Sequence, residues 1–549
     1  MIFVIESTGK IKSFKRELSK IYQGQKINIM ATNGRLFDLK DRNLGFDFES
    51  FKVDSWSPIN EKIVNAIKKN STNEDILYLC TDNDLEGELI ADHVASISNA
   101  KTIKRVYFNQ IEHKHLKIAI ERSGNVNSNR VEHACKKRIM DRAIGYGLSN
   151  FQSHPYAVVG RVLTPALKEL QTKKFDSITI ELSPIDDLDI NISFDIRSRN
   201  EQILDQLEVA ADSLTKKDLR VGDVIISQLQ NTPWDYAETL EATSLALNIN
   251  VEEAIKLMQT TYEDGRLSYP RSDSKELSEE EINSLARQAS YFGVSGFSED
   301  RIMQRIQEGN EAYQPQKQGA HSALYPTDIE SVPMHMRFKD LGTNQEKMLY
   351  LIAQNLFDAG SDIKKEVTSY TLSETSKFSV FCKRHGIEPD INKVTIKKGA
   401  RKYKVKSSDI NVGISVTKKK SGSFKVIDHH IDLFVFNTLV EAGIGRPSTW
   451  GVHTKKIVDK YIDRKSNSLN KKGMNNIRYA EEHYRALLDK ENYQKMDITL
   501  ETKKDFKEAI LSSLNLINVK EADLSVLLMK KGLIEKPVVK EEDTYTPSF

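Results

Sequence analysis

Cysteine is nearly absent from this chain of 549 residues: Cys80, Cys135 and Cys382 stand far apart. No CxxC pair exists, which argues against zinc ribbons and a disulfide framework and fits a reducing, intracellular compartment. Long apolar runs are also lacking. None approaches the roughly 20 residues that a bilayer-spanning helix needs. The opening MIFVI is apolar for only five residues and lacks the flanks of a signal peptide. No membrane contact is expected. Charge of one sign is not in excess either: 80 Lys plus Arg stand against 78 Asp plus Glu, a net +2. Only a local concentration of charge could mark a polyanionic partner. A Walker loop is missing too. GIGRPST at 443–449 offers a glycine turn with a phosphate-seeking arginine but no Walker lysine. ATP is therefore not expected as a cofactor.

What is present divides into two to four globular units by length. Over the first 120 or so residues, short apolar runs at Ile2–Ile5, Ile76–Cys80 and 106–108 read as buried parallel strands. KIKSFKRELSKI and LIADHVASI read as the helices between and after them. This rhythm predicts a doubly wound α/β domain with its site at the carboxyl ends of the strands. Residues 128–172 read as helical, with a basic KKR at 136–138 and a loop at 158–165. Residues 175–232 alternate as strands do, 239–262 turn helical, 361–430 are strand-like and lysine-rich, and 431–463 are helical with a break at GIGRPS. One β-rich domain interrupted by a helical one is the simplest account. The final KPVVKEEDTYTPSF is polar and expected to be disordered.

Directly behind the run ending at Cys80, four carboxylates crowd into seven residues: Asp82, Asp84, Glu86 and Glu88. Three readings compete. Acids favour a helix N-terminus, by about 0.3–1 kcal/mol each, which accounts for one or two of them. An EF-hand matches D-x-D-x-E-G but fails at position twelve, which is His93, and upstream, where a strand replaces a helix. A Mg²⁺ site at a strand end suits the oxygen donors, with a phosphate completing the shell. Glu6 follows the first strand and Lys10 follows Glu6. Parallel strands end on one edge, so Glu6 could stand near the cluster with a raised pKa useful for acid catalysis. A solvated loop carboxylate is the commoner meaning of Glu6 alone.

YEDGRLSYPRSDS at 262–274 is the second unusual stretch. Tyr262 continues a helical stripe with Ile255 and Met258, which reads as core. Pro270 restricts Tyr269 to an extended backbone, and there Tyr269 and Arg271 project to the same side. A guanidinium beside the phenol would favour the phenolate and could grip a phosphate. By spacing alone, a buried tyrosine beside a structural arginine fits as well. His321, in QGAHSALYPT, is unremarkable by itself.

Taken together and in order, nine stretches resemble the type IA DNA topoisomerases, bacterial topoisomerase I and topoisomerase III among them: FVIESTGKIKSF (3–14), ATNGRLFDL (31–39), TDNDLEGELIADH (81–93), RVYFNQI (105–111), KKRIMDRAIGYGLS (136–149), VGRVLTP (159–165), YEDGRLSYPRSDS (262–274), AHSALYPT (320–327) and EAGIGRPSTW (441–450). The resemblance covers about residues 1–465. It implies a mixed α/β multidomain fold, with a Toprim (Rossmann-like) domain, helical domains and a β-rich arch forming a toroid. The implied division is 1–114 Toprim, 115–175 and 431–520 helical and DNA-binding, 176–236 and 336–430 arch, 237–335 helical with the nucleophilic tyrosine, and 521–549 polar tail.

The resemblance further implies Mg²⁺ at Asp82, Asp84 and Glu86; the family often carries C-terminal zinc ribbons, but no cysteines remain here to build them, so zinc is not expected. It implies Tyr269 as the nucleophile that cuts one DNA strand and Glu6 as general acid/base. Lys10, Arg271 and His321 would act around the scissile phosphate. Arg35, Lys137, Arg138, Asp141, Tyr146, Gly160 and Arg161 in the 158–163 loop, Arg446 and Lys460 would lie near DNA. The expected substrate is single-stranded or negatively supercoiled DNA, handled by a monomer in the cytoplasm at the nucleoid. The chain departs from the family pattern at Leu85, Leu163 and Tyr325, where the family usually carries arginine, glutamine, and arginine or isoleucine. Lysines at 401–406 and 418–420 could form a basic surface in place of a zinc-ribbon tail, although a solvated charge run is the commoner meaning. Two rival readings are a Toprim nuclease or primase, which needs no tyrosine stretch, and a non-catalytic DNA-binding scaffold.

Overall fold

The computed structural model describes residues 1–40, 43–71, 76–151, 156–173, 178–182, 191–196, 201–228, 231–294, 296–312, 322–398, 415–416, 424–428, 431–464 and 468–535. The N-terminal domain runs through β1 (Ile2–Ile5), α1 (Ile11–Ile21), β2 (Asn28–Ala31), a hairpin of β3 (Phe37–Leu39) and β4 (Trp56–Pro58), α2 (Glu61–Ser71), β5 (Ile76–Cys80), α3 (Leu85–Ile97), β6 (Thr102–Arg105) and α4 (His113–Glu121). Its sheet is parallel in the order β2-β1-β5-β6. β1 and β5 lie at the centre and are buried on both faces, so their sequences are unbroken apolar runs. Ile5 pairs with Cys80. Glu6 and the acidic turn therefore leave the sheet at the same edge.

The third strand is β6, immediately before the expected 106–108. It is an edge strand with Thr102 exposed. Its mixed TIKR sequence escapes a search for apolar runs.

α5 (Ser128–Leu148) and α6 (Leu163–Thr172) follow. Next come β7 (Ile178–Leu182), β8 (Asn191–Ile196), α7 (Glu201–Asp212) and β9 (Leu219–Gln228). The helical insert comprises α8 (Tyr236–Leu247), α9 (Val251–Glu263), α10 (Glu279–Tyr291), α11 (Glu299–Ala312) and α12 (Asn344–Gly360). The chain then returns through β10 (Ile363–Leu372), α13 (Lys377–His385), β11 (Asp390–Lys398), β12 (Ser415–Val416) and β13 (Phe424–Asp428). Strands from both sides of the insert share one sheet, ordered β12-β13-β7-β8-β11-β10-β9.

Two helices stand where strands were expected, α7 within 175–232 and α13 within 361–430. Ile203, Leu207 and Ala210 on α7, and Phe378, Phe381 and Cys382 on α13, recur at helical spacing. They pack into a small core of their own.

The last part holds α14 (Ile431–Glu441), α15 (Pro447–Tyr461), a ribbon of β14 (Ile462–Asp463) and β15 (Ser468–Leu469), α16 (Lys471–His483), α17 (Lys490–Thr502), α18 (Phe506–Asn515) and α19 (Glu521–Lys530). α19 corrects the expectation of a polar tail from 521. Its Leu524 and Leu528 are buried at Gly147 of α5, where a Cβ would lie 2.4 Å from Leu524 Cδ1. Lys531 Nζ donates to the carbonyls of Tyr146, Gly147 and Ser149 at 2.8, 2.6 and 2.6 Å, closing the end of α5. Residues 536–549, and the lysines at 401–406 and 418–420, lie outside the described residues. Among those described, no helix is long and apolar enough to cross a membrane.

Candidate active site

The acidic turn after β5 is shaped by three devices. Asp84 caps α3, accepting from the Gly87 N–H at 2.8 Å. Gly87 is required by close approach, since a Cβ there would lie 2.1 Å from the Asp82 carbonyl oxygen. Arg105, fully buried at the end of β6, donates to the carbonyls of Leu79, Thr81 and Asp82 at 3.1, 2.8 and 2.8 Å. The same guanidinium reaches Glu88 at 3.1 Å. Glu88 also accepts from Tyr107 Oη at 2.8 Å and the Asn127 N–H at 2.7 Å. The fourth acid of the cluster is thus a buried structural carboxylate.

The tyrosine stretch is pinned to this turn. The Tyr269 N–H donates to the Asn109 carbonyl at 2.6 Å, and the Ser268 N–H to the Tyr325 carbonyl at 2.9 Å. Tyr269 Oη then donates to Asp84 Oδ2 at 2.7 Å, joining residues 185 positions apart. Arg271 Nη1 lies 3.7 Å from the same oxygen. Lys10 is completely buried against Asp82. Its Nζ sits over the Tyr262 ring, 4.8 Å from the centroid, and Tyr262 meets Tyr269 edge to face at 5.5 Å. Tyr269, Asp84, Asp82, Lys10, Arg271 and Glu6 are therefore one cluster. His321 lies outside the described residues.

Burial and charge set the proton states. Glu6 is pushed up to about 8, by burial first and then by Asp82 and Asp84, with Lys10 and Arg271 pulling the other way. Burial opposes ionisation of Asp84. Arg271, the Gly87 amide and the Tyr269 hydroxyl outweigh it and hold Asp84 below its ordinary value. Tyr269 is pushed well above the ordinary phenol value by burial, Asp84 and Asp82. Arg271 lowers it, but not enough. The expectation that the arginine would favour the phenolate is thus corrected: desolvation and two carboxylates exceed one guanidinium.

Asp82, Asp84 and Glu86 have the oxygen-donor chemistry of a Mg²⁺ site. They do not converge, however. Asp82 is held by Lys10, Asp84 by Tyr269 and Gly87, and Glu86 by Arg35 Nε at 2.9 Å and Arg138 Nη2 at 2.7 Å. Among the described residues, no group of three such side chains is arranged to hold a metal. The donor set fits the ion chemically, with its oxygens turned to internal cations.

A cleft of about 290 Å³ extends from the acidic turn, lined by Arg35, Arg130, Lys137, Arg138, Arg161, Arg271 and Arg446 among others. Its floor is organised by Asp497, which accepts from Lys137 at 2.9 Å, Arg161 at 3.1 Å and Arg446 at 2.7 Å. These cations overcome the burial of Asp497 and hold it far below the usual carboxylate range. Asp141 takes Arg161 Nε at 2.8 Å. Tyr146 and Gly160 line an adjoining cleft with Arg138, Asp141 and Arg161. Lys460 is exposed at the end of α15 and lines neither cleft.

Sequence reading missed Asp497, Arg105 and Arg130. Arg105 opens a recognised stretch, RVYFNQI. Asp497 sits in no motif, and only its neighbours in space reveal it.

The family described as DNA topoisomerase matches residues 125–505, and the Toprim domain matches residues 1–111. DNA topoisomerase 1 of Fervidobacterium islandicum is 24% identical, over 94% of this chain and 77% of its own. DNA topoisomerase 1 of Aquifex aeolicus is 24% identical, over 95% of this chain and 99% of its own. Full-length topoisomerase I from Thermotoga maritima superposes with a TM-score of 0.63 at 20% identity, covering 94% of this chain and 90% of that one. That likeness shows the fold, a mixed α/β toroid of several domains.

Proposed function

From the premise that this chain belongs to the type IA DNA topoisomerases, we propose that it cuts and reseals single DNA strands through a covalent link to Tyr269. One observation carries the reading: the hydrogen bond of 2.7 Å between Tyr269 Oη and Asp84 Oδ2. With the phenolic oxygen at that distance from the acidic turn, a phosphodiester held there lies within reach of nucleophilic attack.

Tyr269 Oη attacks phosphorus and its proton leaves toward Asp84, which is ionised and already accepts it. The 3′-oxygen departs with a proton from Glu6, whose raised pKa keeps it protonated at neutral pH. A 5′-phosphotyrosyl ester and a free 3′-hydroxyl result. The ester conserves the energy of the broken bond, so religation needs no nucleotide hydrolysis. Lys10 and Arg271 offset charge on the phosphoryl oxygens. Mg²⁺ held by Asp82, Asp84 and Glu86 would supply neutralising charge for the strand ends being rejoined. Arg35, Lys137, Arg138, Arg161 and Arg446 guide the single strand by its phosphates along the cleft, Tyr146 offering a ring for stacking. Relaxation of negative supercoils or unlinking of DNA follows from passing a second strand through the break.

The test is incubation with a labelled single-stranded oligonucleotide, followed by denaturing electrophoresis. A covalent adduct at the 5′-phosphate end created by the cut, with a free 3′-hydroxyl on the other fragment, supports the reading. Cutting by a Tyr269→Phe variant would instead favour a Toprim nuclease, and no adduct with or without Mg²⁺ a non-catalytic scaffold.

A further inference from the structure

Two polar atoms in the centre of the cluster have no hydrogen-bond partner among the described residues: the hydroxyl of Tyr262 and Oε2 of Glu6. The stripe of Ile255, Met258 and Tyr262 along α9 explains why the ring of Tyr262 is buried. It does not explain the hydroxyl. Phenylalanine would fill the same core without burying an unsatisfied donor, which is destabilising.

The ring is bound to the reacting groups on two sides, with Lys10 Nζ over its face and Tyr269 against its edge. Burial first, then Asp82 and the neighbouring carboxyl groups, hold the phenol well above its ordinary value, with Arg271 pulling the other way. It therefore stays protonated, a neutral donor at neutral pH. Lys10 is already committed to Asp82, and Arg271 to Asp84. An oxyanion entering this cluster meets two cations that are partly neutralised and, among the described residues, two oxygens that have no partner.

We propose that the Tyr262 hydroxyl donates a hydrogen bond to a non-bridging oxygen of the scissile phosphodiester, beside Glu6, and so takes part in strand cleavage. This rests on Tyr269 being the nucleophile. Negative charge on the non-bridging oxygens is redistributed as Tyr269 attacks, and a donor already fixed in place by Lys10 and Tyr269 needs no reorganisation at that moment. Being neutral, it stabilises the reacting phosphate without adding positive charge to the cluster.

Tyr262→Phe tests this in the full chain, because it keeps the ring and its contacts with Lys10 and Tyr269. Adduct formation on a labelled single-stranded oligonucleotide should slow by roughly a hundred-fold in single turnover. Affinity for the oligonucleotide should stay within about twofold, since the contact matters mainly in the transition state. The Tm should equal or exceed that of the parent, since an unpartnered buried hydroxyl has been removed. Adduct formation at the parental rate overturns the inference. So does a Tm clearly below the parent's, which would mean that the hydroxyl is already satisfied in the folded protein. Tyr269→Phe run alongside separates the two readings. An adduct surviving there removes Tyr269 as nucleophile. Its loss there, with Tyr262→Phe at the parental rate, removes only the role of Tyr262.

Discussion

Asp497 Oδ2 stands 2.7 Å from Arg446 Nη2, tying α17 to the residue that precedes α15. The other oxygen of Asp497 takes Lys137 and Arg161. One buried carboxylate thus restrains three cations that would otherwise repel one another. Asp497→Asn removes the charge that Lys137, Arg161 and Arg446 share and should lower stability by about 3–5 kcal/mol, read by urea unfolding. Added salt should restore part of the loss, and oligonucleotide binding should become more steeply salt-dependent.

Tyr269→Phe should abolish the covalent adduct on denaturing gels while the fold persists. The lost hydroxyl donates to Asp84, so a modest cost of about 1 kcal/mol is expected, visible as a small fall in Tm.

Glu6 carries a pH signature. Its value in the folded chain is about 8, against an ordinary 4.5. Between those values the folded state binds more protons than the unfolded one, so stability falls as pH rises through that window and the loss is complete above about pH 8. Glu6→Gln should therefore unfold at a higher temperature than the parent at about pH 9 and gain nothing at about pH 4. Adduct formation by the parent should decline above about pH 8 as the acid loses its proton. In Glu6→Gln it should be slower throughout, without that limb.

Arg105→Lys tests the clamp beneath the acidic turn. A lysine keeps the charge opposite Glu88 but cannot serve several carbonyls with a rigid fork. Thermal unfolding should show a loss of about 3 kcal/mol or more, and adduct formation should fall because the turn carrying Asp82 and Asp84 is no longer fixed.

Gly87→Ala places a methyl group 2.1 Å from the Asp82 carbonyl oxygen. The turn must shift, carrying Asp84 away from Tyr269. Adduct formation should drop by at least about ten-fold, with a lower Tm by calorimetry.

Much of the site was legible because its parts are local. β1 and β5 are apolar runs whose pairing puts Glu6 and the acidic turn at one edge, as parallel topology requires. The capping of α3 by Asp84 and the extended backbone at Tyr269 follow from short stretches of residues. Other features depend on distant partners. Glu86 reads as a free carboxylate until Arg35 and Arg138 are brought against it. Glu88 reads as part of the functional cluster until Arg105, Tyr107 and Asn127 enclose it. α7 and α13 carry helical spacing over only a few apolar residues, in surroundings that alternate like strands.

Residue order alone determined the chemistry available to this protein: a phenol next to a guanidinium, a knot of acids behind a buried strand, and basic stretches to meet phosphate. Tertiary structure alone decided the state of that chemistry. Proton affinities and ion pairs depend on desolvation and on charges a few ångströms away, and those are set by chain segments up to hundreds of residues apart. For that reason Tyr269 is a protonated phenol bound to Asp84, Asp497 anchors three cations, and Tyr262 holds its hydroxyl without a partner among the described residues.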